Sequence, residues 1–208
     1  MSDKPTLREI ALNLLYPPRC LLCGRLCGWE PDAFGCEGLL WCAPYEGEFR
    51  RGMEQFKFEG VRACCPLFGG MLARALRQSG LCGELDAVTY VPMPPRRERH
   101  RGYNQSRLLA QYLAKELGLP LREEVLCRGG RATAHAARTR AQRLRLAEES
   151  YRAGPRRLPE GERLLLVDDI VTTGATLQNC AALLRAQGAA KVWAAAVLRT
   201  PAHPNGKL

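Results

Sequence analysis

The order of apolar segments predicts an α/β protein built on a covered parallel sheet, with a small cysteine-rich unit ahead of it. Three observations support this. Short apolar runs of strand length alternate with amphipathic helical patterns through the second half of the chain. Cys20, Cys23, Cys27, Cys36 and Cys42 crowd one early segment, while the remaining cysteines are scattered. The length, 208 residues, suits one α/β domain plus an appendage. The expected division is a cysteine-rich unit over residues 1–47 and the α/β domain over residues 48–208.

Each element follows from its pattern. Thr6 caps a predicted helix with Leu7, Ile10, Leu14 and Leu15 on one face, stopped by Pro17 and Pro18. The stretch 20–42 has Gly24, Gly28, Pro31, Gly35 and Gly38, which predict turns rather than regular structure. Phe49, Met53 and Phe56 recur at helical spacing over 48–58, and Leu67, Met71, Leu72, Ala75 and Leu76 do so before Gly80. Residues 87–91 read as a buried strand ended by Pro92, Pro94 and Pro95. Residues 106–117 carry a helical stripe of Leu108, Leu109, Tyr112, Leu113 and Leu117, with Gly118 just beyond. Residues 128–145 lack apolar periodicity and read as a basic loop. A strand over 164–167, a helix over 174–187 closed by Gly188, and a strand over 192–198 complete the β-α-β pattern.

Composition narrows the function. No apolar run approaches the roughly 20 residues of a membrane span, and the N-terminal hydrophobic stretch, with Asp3, Lys4 and Glu9, makes a poor signal peptide. A cytoplasmic protein without membrane insertion is expected. Lys and Arg exceed Asp and Glu by 31 to 21, a net charge of +10. Most of these cations are arginine, whose planar fork binds phosphate bidentately. Arg96, Arg97, Arg99, Arg101 and Arg107 form one cluster, and Arg122, Arg128, Arg131, Arg138, Arg140, Arg143 and Arg145 another. Such density suits a polyphosphate or nucleic acid.

The most informative run is Leu164-Leu165-Leu166-Val167-Asp168-Asp169-Ile170-Val171-Thr172-Thr173-Gly174-Ala175-Thr176. An apolar strand delivers two carboxylates at its C-terminal edge, where ligands bind in open α/β sheets. Thr172, Thr173, Gly174, Ala175 and Thr176 then turn into a helix, whose free amides and dipole make a monophosphate socket. Carboxylates repel phosphates, so this pairing specifies a sugar phosphate with Asp168 and Asp169 facing the sugar. A second anion site is predicted where the prolines lead into Arg97, Arg101 and Asn104 ahead of another helix. There Asn104 could equally be a helix cap and the arginines solvated. Cys20-x-x-Cys23-Gly24 has the spacing of a metal knuckle. A structural Zn²⁺ would take Cys36 and Cys42 as its other ligands, with Cys27 in reserve; a metal-free turn and redox chemistry are the alternatives.

The acid-pair run resembles the phosphoribosyl-pyrophosphate signature of type I phosphoribosyltransferases. That resemblance implies a Rossmann-like parallel sheet with a hood. It also implies Asp168 and Asp169 on the ribose hydroxyls, Thr172–Thr176 on the 5′-phosphate, and Mg²⁺ held mainly by the ligand's own oxygens. Val91-Pro92-Met93-Pro94, the Arg97–Gln105 segment ending in Arg101-Gly102-Tyr103-Asn104-Gln105, and Phe56-Lys57-Phe58-Glu59-Gly60 are similar to motifs of the ComF family, linked to DNA uptake in bacterial competence. The central loop departs from that family's pattern, with His135 near an expected Gln and Leu146 near an expected Asn. Two functions follow. One is phosphoribosyl transfer from phosphoribosyl pyrophosphate to an acceptor the sequence does not identify. The other is a non-catalytic module that binds a sugar phosphate or single-stranded DNA alongside other competence proteins, with Tyr103, Trp29 and Trp41 as stacking candidates.

Overall fold

A computed structural model describes residues 28–128 and 151–200. The segments carrying Cys20, Cys23 and Cys27, the predicted helix after Thr6, and most of the basic central loop, with His135 and Leu146, lie outside them.

The strands are β1 (Gly28–Pro31), β2 (Gly38–Pro44), β3 (Ala87–Tyr90), β4 (Leu126–Arg128), β5 (Tyr151–Ala153), β6 (Arg163–Val171) and β7 (Lys191–Arg199). The helices are α1 (Gly47–Phe58), α2 (Cys64–Ser79), α3 (Pro95–Arg101), α4 (Gln105–Leu117) and α5 (Ala175–Ala186). One sheet runs in the order β1-β2-β7-β6-β3, parallel throughout except that β1 pairs antiparallel with β2. A two-stranded antiparallel ribbon, β4–β5, lies apart from it.

Alternation along the central strands divides the core in two. Leu165 and Val167 of β6 join Trp193, Ala195 and Val197 of β7 under α1, α2 and α4, through Met53, Phe56, Phe68, Leu72, Leu109 and Leu113. Leu164 and Leu166 face the other way with Val192, Ala194 and Ala196, beneath Leu177, Cys180, Ala181 and Leu184 of α5. Both faces are covered, which is why the strands read as unbroken apolar runs. The helices on the first face pack closely: a Cβ on Gly69 of α2 would stand 2.4 Å from the ring of Tyr112 in α4.

Two expectations are corrected. The glycine-rich stretch read as turns contains β1 and β2, and β2 pairs in parallel with β7 from Leu39↔Ala194 to Pro44↔Arg199. Residues 38–44, ahead of the expected boundary at 47, therefore belong to the main sheet. The glycines and prolines around them favour turns, but the apolar run from Leu39 to Ala43 is drawn into the sheet by long-range pairing. The strand expected to end at Val167 continues to Val171, because pairing with β7 runs on through Val171↔Arg199. Asp168 and Asp169 thus lie within β6 rather than just past it.

Candidate functional site

The overhang of β6 makes the site. Its last paired residue opposite β3 is Val167, matched to Tyr90. Beyond that point β3 gives way to Val91 and the proline turn, and a cavity of about 230 Å³ opens at the C-terminal edge of the sheet. Asp168, Asp169, Thr176, Arg97, Arg101, Asn104, Lys57 and Ser106 are among the residues that line it. Most of the residues predicted to act on one ligand therefore converge. Thr172, Thr173, Gly174 and Ala175 do not line this cavity. Thr172 and Thr173 are exposed, and Gly174 is buried as the left-handed residue capping α5.

The two carboxylates are 9% and 8% exposed and are held by different partners. Asp168 Oδ1 accepts from Ser106 Oγ at 3.0 Å and from the Asp169 amide at 2.8 Å. Asp169 Oδ2 meets the Lys57 ammonium at 2.8 Å. Burial pushes the Asp168 carboxyl up to about 7, and the adjacent Asp169 charge adds to that; Lys57 and the two hydrogen bonds pull the other way. The site thus sets a carboxyl that titrates near neutrality beside a carboxylate neutralised by an ammonium.

The Tyr103-Asn104-Gln105 run is structural glue. Asn104 Oδ1 accepts from the amides of Ser106 and Arg107, at 3.0 and 3.4 Å, and its Nδ2 donates to the Val91 carbonyl at 3.1 Å. Its side chain is the helix cap that the sequence also allowed; it ties α4 to the end of β3 while lining the cavity. Gln105 Nε2 and the Tyr103 hydroxyl both donate to the Phe56 carbonyl at the end of α1. That pins the turn from which Lys57 reaches Asp169. Tyr103 is 6% exposed and so unavailable for base stacking, and Trp29 is 44% exposed on the edge strand. Trp41 is half-buried in β2, with its indole N–H enclosed.

Arg97 and Arg101 line the same cavity as the acid pair. Pro95 opens α3 at its first turn, a helix that the proline turn alone did not suggest, and Arg97 is exposed on it. Arg101 is half-buried, donates to Gln105 Oε1 at 2.6 Å, and lies 5.0 Å from the centre of the Phe58 ring. Four lining residues were not singled out for the site from sequence: Lys57, Ser106, Arg128 and Tyr151. Lys57 had a signal, being a lysine in an arginine-dominated chain within the Phe56–Gly60 motif. Arg128 lies over the Tyr151 ring at 5.0 Å, and Tyr151 hydrogen-bonds Thr176. No local pattern marks that pair, since it forms only across the β4–β5 ribbon.

The cysteines separate. Cys20, Cys23 and Cys27 are outside the described residues. Cys36 packs beneath α5, whereas Cys42 packs on the opposite face of the sheet, under α2 and α4. Burial pushes the Cys36 thiol up to about 12. Cys36 and Cys42 together do not fit one tetrahedral ion, because Cys36, in the turn ahead of β2, and Cys42, within it, are buried in layers on opposite faces of the sheet. Among the described residues no three histidine, cysteine or acidic side chains gather to hold a metal. Two adjacent carboxylates alone fit an ion that brings most of its ligands with it.

A parallel sheet with an acid pair at its C-terminal edge and a threonine–glycine turn into the next helix defines a protein of the phosphoribosyltransferase fold. The sequence profile of the phosphoribosyl transferase domain matches residues 104–207. The chain belongs to that family and is a ComF-like member of it. It is 34% identical over 187 residues to the "DNA utilization protein YhgH" of Escherichia coli strain K12, covering 86% of this chain and 78% of that protein. It is 31% identical over 146 residues to the "Competence protein F" of Haemophilus influenzae, covering 67% of this chain and 63% of that one. A purine phosphoribosyltransferase structure from Pyrococcus horikoshii aligns with a TM-score of 0.42 at 18% identity, over 67% of this chain and 80% of the other. Among the described residues no helix is long and apolar enough to cross a membrane.

Proposed function

We propose that this protein binds phosphoribosyl pyrophosphate with Mg²⁺ in the cleft at the end of β6 and transfers its phosphoribosyl group to an acceptor. The observation that carries the reading is the buried pair Asp168 and Asp169, held by Ser106 and Lys57, with Thr176 in the same cavity. Carboxylates accept from vicinal hydroxyls, and the start of α5 offers amides to the 5′-phosphate. Arg97 and Arg101 on α3 supply cationic charge for the pyrophosphate.

Lys57 decides the electrostatics. Two bare carboxylates would repel a pyrophosphate, but the ion pair with Lys57 removes most of one charge. In the transfer, the anomeric carbon loses its bond to pyrophosphate and gains one to the acceptor. Positive charge that develops at the ribose is favoured by the neighbouring acids, and the departing pyrophosphate by the arginines. Mg²⁺, when bound, would offset the charge of the pyrophosphate, with Asp168 and Asp169 as the side chains that would hold it or its waters. The names of the relatives make a role in DNA utilisation or competence part of this proposal.

Calorimetry tests it. Phosphoribosyl pyrophosphate is expected to bind the wild-type protein only with Mg²⁺ present, and binding is expected to vanish when Asp168→Asn and Asp169→Asn are combined. Undiminished binding by the double variant would refute the site. Binding without pyrophosphate release across a panel of nucleobases would leave the binding-module reading in place of the transferase.

A further inference from the structure

The hairpin that carries β1 and β2 ends in a feature the transfer reaction does not use. Asp32 and Phe34 in the connecting turn have φ of 48° and 55°, in the left-handed region that side chains avoid. Such strain persists only where surrounding structure enforces it, and it concentrates at functional sites. Here the enforcing contact is with the threonine–glycine turn. A Cβ on Gly174 would lie 2.0 Å from the Phe34 ring, so the ring takes the space that the missing side chain leaves. Arg199, at the end of β7, lies 5.3 Å from the ring centre. Its guanidinium also donates to the Thr172 carbonyl, and its Nε donates to Glu30 Oε1 of β1 at 3.0 Å. Arg185 of α5 reaches the same turn through the Gly35 carbonyl, and Glu37 at 2.8 Å. The room beside Gly174 on this side is thus filled by Phe34.

We infer that Phe34, backed by Arg199, is a positioning residue: a brace from the N-terminal hairpin that fixes residues 172–176 in the shape that receives a 5′-phosphate. The inference rests on the proposed sugar-phosphate site. Phe34 lies outside the part of the chain matched by the family profile, residues 104–207, in the turn that joins β1 to β2. A turn held before the ligand arrives loses less freedom on binding, which is the physical gain.

Two measurements on the full chain test it. Amide hydrogen exchange of the peptide containing residues 172–176 is expected to accelerate at least tenfold in Phe34→Ala, with residues 164–167 unchanged. Ribose 5-phosphate, used as the probe, is expected to bind Phe34→Ala at least tenfold more weakly, and Phe34→Tyr should restore both values to within about threefold. Arg199→Lys, which loses the flat guanidinium, should show a smaller change of the same sign. If Phe34→Ala fails to fold, Phe34→Leu keeps the bulk without the aromatic face and reads the same quantities. Unchanged exchange at 172–176 overturns the brace, and tighter ribose 5-phosphate binding by Phe34→Ala overturns it in favour of an obstruction. A wild type that binds neither ribose 5-phosphate nor phosphoribosyl pyrophosphate removes the site itself. That outcome stands apart from a wild type that binds normally while the variant does too.

Discussion

At one end of the cleft, Asp168 and Asp169 are buried, and their bonds reach α1 and α4. At the other, Arg97 is exposed on α3 and has no ion-pair partner among the described residues, while the half-buried Arg101 is tied to Gln105. The acid end is assembled from β6, α1 and α4 and is desolvated; the arginine end sits on one short helix in water. A buried, like-charged pair works against folding, whereas an exposed guanidinium is nearly neutral to it. The two ends should therefore respond oppositely to mutation: stability moves at the acids, and affinity alone moves at Arg97.

The largest effect is expected at Asp168. Its carboxyl titrates near 7 in the folded protein against an ordinary value of 3.8, so the folded state holds a proton that the unfolded chain has released. The unfolded state binds fewer protons between those values, and stability falls as pH rises from about 4 to about 7. A shift of that size corresponds to an upper bound of about 4 kcal/mol. Asp168→Asn keeps the shape without the charge. It is expected to raise stability at pH 8 by about 2–4 kcal/mol and to flatten the profile above pH 4, as urea unfolding across pH would measure. Asp86 moves the other way: hydrogen bonds from Arg163 hold its carboxyl down to about 2, so its contribution fades only below pH 4. A variant no more stable than wild type at pH 8 would show that the acid end is not under electrostatic load.

Asn104 sharpens the contrast, because it sits between the two ends and serves the fold. Removing its side chain leaves the first-turn amides of Ser106 and Arg107 and the Val91 carbonyl without their partner. Asn104→Ala is expected to cost about 2 kcal/mol, a cap plus a buried hydrogen bond, read from denaturant midpoints. A loss of affinity with unchanged stability would return Asn104 to the pyrophosphate.

The same contrast explains what the sequence made legible. β6, α4, α5 and β7 were readable because their signals are local: apolar runs, a 3.6-residue stripe, and Gly118 and Gly188 at helix ends. That Asp168, Asp169, Arg97 and Arg101 would share one sheet edge was readable, because residue type and position within short motifs place them there, and all four line the cavity. β2 was not, since its place is fixed by pairing with β7, more than 150 positions away, as the Leu39↔Ala194 register shows. Lys57 and Ser106 become site residues only when α1 and α4 close over the end of β6. Phe34 carried no signal at all. Its importance lies in a contact with Gly174 that bridges opposite ends of the chain.

The smallest stability effect is the sharpest test of the comparison. Arg97→Ala removes an exposed side chain from a seven-residue helix and is expected to change stability by less than about 0.5 kcal/mol. If Arg97 faces the pyrophosphate, affinity for phosphoribosyl pyrophosphate should fall about tenfold, the order expected for one charge-assisted contact. Affinity for ribose 5-phosphate, which lacks the pyrophosphate, should stay within twofold. The salt dependence of phosphoribosyl pyrophosphate binding should weaken as well, because an exposed cation is screened where the desolvated acids are not. Equal losses for both ligands would place Arg97 near the 5′-phosphate instead, and the division of the cleft into a sugar end and a pyrophosphate end would have to be redrawn.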